Sequence, residues 1–214
     1  MPKLGLTADQ LLSTTRSVRK RLDISRPVER AVIEECLNLA LQAPNGGNRN
    51  LWRWIVVDDP AKVAAIGAQY KAMFDQPLSA RSEPIPDNVE RFDLVHDSVR
   101  ALVEKIDHMP ALLIPLMPGR AEGKTPMQQA VMWGSIVQAV WSFFLALRER
   151  GLGSAWTTVS LGREREIAEI LGIPFESYTQ VGLFPIAYTQ GTDFKPAWRE
   201  PLAEVLDYNG FTAR

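Results

Sequence analysis

The chain is poor in the side chains that carry most protein-borne chemistry. Cys36 is its one cysteine, and His96 and His108 are its two histidines. A lone cysteine excludes an internal disulfide framework and fits a reducing compartment. Two histidines in a charged stretch, with no second cysteine, leave a zinc site short of ligands. Ser135, Ser154 and Ser160 all lie outside any GxSxG elbow, so a hydrolase triad has no anchor. No GxxxxGK[ST] loop occurs, and Gly151-Leu152-Gly153 lacks both the third glycine and the preceding strand of a dinucleotide fingerprint. Cys36 lies on an apolar helix face and reads as a buried, inert thiol.

Charge of one sign is also missing in excess. The 214 residues hold 24 Lys plus Arg against 25 Asp plus Glu, a balance that points to neither nucleic acid nor a membrane surface as partner. Any anion site must therefore be local. The first residues, Met1 to Leu6, lack the apolar run of a secretory signal, so a cytoplasmic location is expected. Ala130 to Leu147 carries no charge and is long enough to qualify as a membrane span. Gly134, Ser135, Gln138 and Ser142 dilute it, and no asymmetric basic loop would orient it. It reads instead as a buried central helix.

What is present is a chain in which strand-like and helix-like segments alternate. Val28, Val32, Cys36 and Leu39 recur at helical steps from Pro27 to Leu41, with Pro27 expected in the first turn. Trp54–Asp58 reads as a short strand, and Asp59-Pro60 opens a helix to about Asp75. Gln76–Pro86 is a charged, proline-rich excursion, and Asn88–Asp107 has helical spacing at Phe92, Val95, Val99, Leu102 and Ile106. Together, residues of about 76–108 read as a helical arm or lid. Ala111–Leu116 reads as a strand, about 126–150 as the long helix, and Gly153–Thr158 as a strand or extended turn. Arg163–Leu171 is a helix stopped by Gly172. Gln180–Tyr188 is a last strand in which Pro185 implies a bulge or an unpaired edge. This alternation predicts an α+β or α/β domain spanning 1–214. The long helix would run roughly 37 Å. Trp133, Val137, Val140, Trp141 and Phe144 give it more apolar surface than one small sheet can cover, which implies packing on a second copy.

Four weak stretches occur in a fixed order. Arg16, Ser17 and Arg19 offer two forked guanidiniums and a hydroxyl, suited to a phosphate or a carbonyl-rich ring edge; alone they read as a solvated basic turn. The segment Ala43-Pro44-Asn45-Gly46-Gly47-Asn48-Arg49-Asn50-Leu51-Trp52 offers amides on a permissive backbone. Gly151 to Thr158 follows, and Lys195-Pro196-Ala197-Trp198-Arg199-Glu200-Pro201-Leu202 closes the set. With no catalytic side chain evident, these suit a flat, anionic, hydrogen-bonding cofactor that brings its own redox centre.

In this order the stretches resemble those of the nitroreductase family, FMN-dependent homodimers of α+β fold, with a central mixed or antiparallel sheet, a long central helix and entwined subunits. The resemblance assigns Arg16 and Ser17 to the FMN phosphate and ribityl chain and Arg19 to the N1/O2 edge of the ring. Thr15 stands where many members have another arginine. Pro44, Asn45, Gly46 and Asn48 match the loop that reaches the flavin from the partner subunit, with Asn45 in place of a serine, Asn50 of a glutamine and Leu51 of a proline. Trp156, Thr157 and Thr158 match the strand that passes the ring near N5, mainly through main-chain groups. Arg199 matches the family's phosphate-binding arginine, with Lys195 as the second cation. Trp52 and Trp198 are expected in the core.

The resemblance implies an enzyme that takes hydride from NADPH or NADH onto FMN and passes it to a small acceptor, such as a nitroaromatic or quinone, by ping-pong chemistry. No catalytic side chain and no metal is implied. The alternatives are a flavin-sequestering protein with little turnover, an enoate reductase or dehydrogenase on the same scaffold, and a helix-rich interaction module without flavin.

Overall fold

The computed structural model describes residues 3–74 and 89–212. The proline-rich excursion at 76–86 lies outside the described residues. Seven α-helices and six strands are seen among the described residues, in the order α1 (Ala8–Thr14), β1 (Leu22–Asp23), α2 (Arg30–Ala40), β2 (Arg53–Val57), α3 (Pro60–Ala72), α4 (Val89–Val103), β3 (Ala111–Pro118), α5 (Pro126–Glu149), β4 (Leu152–Gly153), α6 (Glu164–Leu171), β5 (Tyr178–Gln180), β6 (Phe184–Thr189) and α7 (Leu202–Val205). The fold class is α+β. Every strand pairing is antiparallel, in the order β1-β6-β3-β2, with β4 on β6 and β5 on β3.

Strand β3 shows why the sheet sits at the centre. Side chains alternate across a strand, and here both sets are apolar. Ala111, Leu113 and Met117 face the core under α2 and α5. Leu112, Ile114 and Leu116 face a second core under α3, α6 and the end of the arm. A strand covered on both faces reads as an unbroken apolar run, which is how residues 111–116 look.

Several boundaries differ from expectation. Helix α2 starts at Arg30 with Glu29 as its N-cap, so Pro27 precedes the helix instead of lying in its first turn. The expected last strand is two strands, β5 and β6, parted where Gly182 takes φ 150°. Pro185 pairs with Leu112 of β3 on one side. On the other, Gly153↔Ala187 and Thr157↔Leu183 belong to one register, which sets Pro185 opposite Ala155. That ladder is interrupted there, because the ladder bond needs an N–H that proline lacks. The arm is not purely an addition: Leu102 and Ile106 are fully buried in the second core, whereas Leu94 and Val95 are exposed.

Helix α5 is capped by Thr125, whose hydroxyl accepts from the Gln128 N–H while Gln128 returns a bond to the Thr125 N–H, with Pro126 in the first turn. Its inner face, including Ile136, Val140, Phe143 and Leu147, is buried. Val140 and Phe144, expected at an intersubunit surface, belong to this chain's own core. The outer face keeps Met127, Val131, Val137 and Trp141 exposed, and Leu202, Val205, Tyr208 and Phe211 of the C-terminal tail are exposed as well.

Candidate functional site

The predicted residues gather in two places rather than one. The first is the basic end, where α5 finishes. The Val18 N–H donates to the Ser154 carbonyl at 2.8 Å, laying Arg16–Arg19 against the segment after β4. Contact is close enough that a Cβ on Gly153 would meet Val18 Cβ at 2.9 Å, so glycine is required there. Arg16 donates to the Lys195 carbonyl at 3.2 Å, bringing the first and fourth stretches together. Arg199 is exposed, its guanidinium donating to the Trp198 carbonyl at 2.7 Å.

Arg19 is half-buried, and burial pulls its pKa below the ordinary arginine value. It donates to the neutral Ser98 hydroxyl of α4 at 3.3 Å, not to a carboxylate. Ser154 Oγ, beside it in the fold, is buried with no hydrogen-bond partner among the described residues. Thr157 is less available than its position in the sequence suggests. Its N–H and C=O are both spent on Leu183, and its hydroxyl donates to the Leu183 carbonyl at 2.7 Å. Trp156 packs edge-on to Phe184 at 5.2 Å, and Thr158 is exposed.

Beneath this end lies an arginine absent from the predicted set. Arg148 is 5% exposed. One nitrogen donates to the Thr192 carbonyl at 3.0 Å and lies 3.4 Å from the Thr14 hydroxyl, while Nε and Nη1 have no partner among the described residues. Burial lowers its pKa. Its position four residues after Phe144 on the buried face of α5 is the sequence signal that could have revealed it. Ser98 offered no such signal, being tied to Arg19 across 79 positions of chain.

The second place is the amide loop, against the first half of α5. The Gly46 N–H donates to Ser135 Oγ at 2.9 Å. Asn45 and Asn50 clasp each other through two bonds of 3.0 Å. Asn48 and Asn50 both take positive φ, a conformation asparagine tolerates well. Pro44 and Asn48 are exposed and Asn45 half-buried. Trp52 is buried as expected; Trp198 is 48% exposed, contrary to expectation. A cavity of about 310 Å³ lies between this loop, the end of β3 and the start of α5. Ser135 and Arg148 are 13 positions apart on one helix, so the two places are separated by roughly 20 Å along its axis.

A profile of the nitroreductase family matches residues 12–188. The chain belongs to the nitroreductase family. Solved structures agree on the fold. FMN and NADPH-dependent nitroreductase NfnB from sphigopyxis sp. strain HMH is 22% identical, with a TM-score of 0.72, over 96% of this chain and 100% of that one. An iodotyrosine deiodinase bound to FMN and 3-iodo-L-tyrosine is also 22% identical, with a TM-score of 0.69 and the same coverage. A nitroreductase-like family protein from Bacillus cereus is 20% identical, with a TM-score of 0.67, over 96% of this chain and 97% of that one. No curated protein gives a significant match. The structure sets the four stretches in two places along α5.

Proposed function

We propose that the protein is an FMN-dependent NAD(P)H oxidoreductase whose flavin site is built across two copies of the chain. The observation that carries this reading is Arg19, a half-buried guanidinium held by a neutral hydroxyl, on the segment whose Val18 N–H meets the Ser154 carbonyl, with the Ser154 Oγ itself unpartnered among the described residues. A buried donor or charge without its complement costs stability, so these groups suit a polar ligand. The residues fit FMN. Arg16, Ser17, Lys195 and Arg199 would hold its phosphate and ribityl chain, and Arg19 the N1/O2 edge. The Trp156–Thr158 backbone would flank the ring, with Thr157 in a supporting role because its main-chain groups are already used.

Pro44, Asn45, Gly46 and Asn48 are too far from that end to reach the same ring within one chain. The partner's loop would complete it. The exposed α5 face and the apolar tail supply the surface for a homodimer, since burying such side chains gains roughly 25 cal/mol per Å². When bound, FMN would supply the redox centre, accepting hydride from NADPH or NADH and passing it to an electron-poor acceptor such as a nitroaromatic or quinone.

The chain's own groups bind and tune. Arg19 would favour negative charge at the pyrimidine edge, and the second copy would exclude water from the ring. A cytoplasmic location and an acceptor-selecting role for the 76–108 arm belong to the same proposal. The test is purification with FMN followed by anaerobic NADPH or NADH. A yellow spectrum that bleaches supports the oxidoreductase. Bound flavin that neither donor bleaches points to sequestration, and failure to bind FMN at all overturns both.

A further inference from the structure

The cavity beside the amide loop carries a charge pattern the flavin reading does not use. Its floor is flat and soft: Trp52, Met117 and Met132 are nearly fully buried there, and thioethers and an indole suit an aromatic ring. Arg49 and Lys124 stand at its walls, and the lining contains no carboxylate. Neither side chain has a hydrogen bond or ion pair among the described residues; Lys124 is engaged only through its backbone, its N–H donating to the Ala121 carbonyl and its own carbonyl accepting from Gln129. Arg21, Arg30, Arg120, Arg150, Arg163 and Arg165 each meet an acidic partner; the other arginines described above without one, Arg16, Arg19, Arg148 and Arg199, lie at the basic end, away from this cavity. In a chain of net charge −1, two cations without acids around one apolar cavity are not a by-product of general basicity.

At about 310 Å³ the cavity is at the small end of ligand sites, with room for one substituted ring. We propose that it is the acceptor pocket and that the acceptor is an anionic aromatic, its ring on Trp52 and the methionines and its carboxylate-like group on Arg49 and Lys124. This deepens the flavoenzyme reading and rests on it, because the second copy would bring its flavin to the open side of this cavity.

The test compares 4-nitrobenzoate with its neutral methyl ester, using NADPH and the FMN-loaded enzyme, in the native chain and in Arg49→Gln/Lys124→Gln. A hydrogen-bonded charge pair corresponds to roughly tenfold per cation. The native enzyme is expected to prefer the carboxylate. In the double variant, the carboxylate-to-ester ratio of kcat/KM should fall at least tenfold, mainly through KM. Benzoate binding to the oxidised enzyme, read from the flavin spectrum, should weaken in parallel. An unchanged ratio overturns the proposal. So does a raised KM for NADPH with the acceptor ratio intact, which would assign the cations to the donor's phosphates. If the native protein fails to bleach with NADPH, the flavoenzyme reading fails instead. The charge dependence of benzoate binding, followed by tryptophan fluorescence without flavin, then decides this pocket separately.

Discussion

The two ends of α5 differ in a way that bears directly on the proposed two-chain site. The end near Arg148 is rich in donors: Arg16, Arg19 and Ser154 lie along a close, glycine-dependent contact. The end near Ser135 has the apolar cavity and the fixed amides of Asn45 and Gly46. One end can hold a phosphate and the charged edge of a ring. The other can cover a ring face and admit a second molecule. A rigid helix of 24 residues keeps them apart, so within one chain they cannot serve one flavin, whereas two chains packed along α5 can exchange them.

The largest expected effect comes from breaking that exchange. Val137→Asp/Trp141→Asp places charge on the exposed face of α5 without touching either end. Sedimentation should show a monomer, and FMN binding should be lost with it. A folded monomer that binds FMN normally would separate the site from the interface. Arg19→Ala acts on one end only. Losing a charged hydrogen bond to the ring should weaken FMN binding roughly 10- to 100-fold by fluorescence titration, far more than Lys195→Ala, and equal negligible effects would discard the assignment.

Arg148→Met gives a smaller and more diagnostic change. A buried guanidinium with two unpartnered N–H groups is a cost that a well-packed apolar side chain removes. The flavin-free protein should therefore melt at the same or a higher temperature. Arg148 also ties the segments that carry Arg16 and Lys195 through Thr14 and Thr192. FMN affinity should accordingly fall several-fold more than riboflavin affinity, because only FMN carries the phosphate. Equal losses for both ligands would make Arg148 purely structural.

What the sequence disclosed follows from how local each signal is. Strand β3 was legible because both of its faces are apolar, and α5 and α6 because Thr125-Pro126 and Gly172 are local start and stop signals; Gly172 takes φ 66°. The break between β5 and β6 was hidden, since Val181 and Leu183 are as buried as the strands on either side and only the backbone of Gly182 turns. A charged helix end ordinarily faces solvent, and Arg148 and Arg150 close α5. Instead both are buried, Arg150 against Glu35 and Arg148 without an acid, because the chain returns over them from residues far away. The motif order pointed to candidate parts of a site; their separation along α5 could be seen only in three dimensions.

The smallest effect expected is on the apolar core, and it contrasts with the arginine-rich end. Burial pushes the Cys36 thiol up to about 11, and burial with the Glu29 contact pushes Tyr188 up to about 12. Folded values above the unfolded ones mean that this stability is complete below about pH 9 and is lost as pH rises through 11. Thermal melts between pH 8 and 11 should show a decline that Cys36→Ala reduces. Below about pH 9 Cys36 should also resist alkylation until the chain is denatured.

The exchange of ends between two chains is tested most directly by complementation. Arg19→Ala disables the basic end, and Asn48→Asp places a carboxylate on the amide loop in a residue that tolerates its left-handed backbone. Each variant alone should bind FMN poorly. Co-expressed with different affinity tags, the two should form heterodimers in which one site carries both defects and the other carries neither. The account predicts one tightly bound FMN per purified heterodimer, at native affinity. Heterodimers that form but recover no FMN binding would show that both ends serve the same chain's site, and would contradict it.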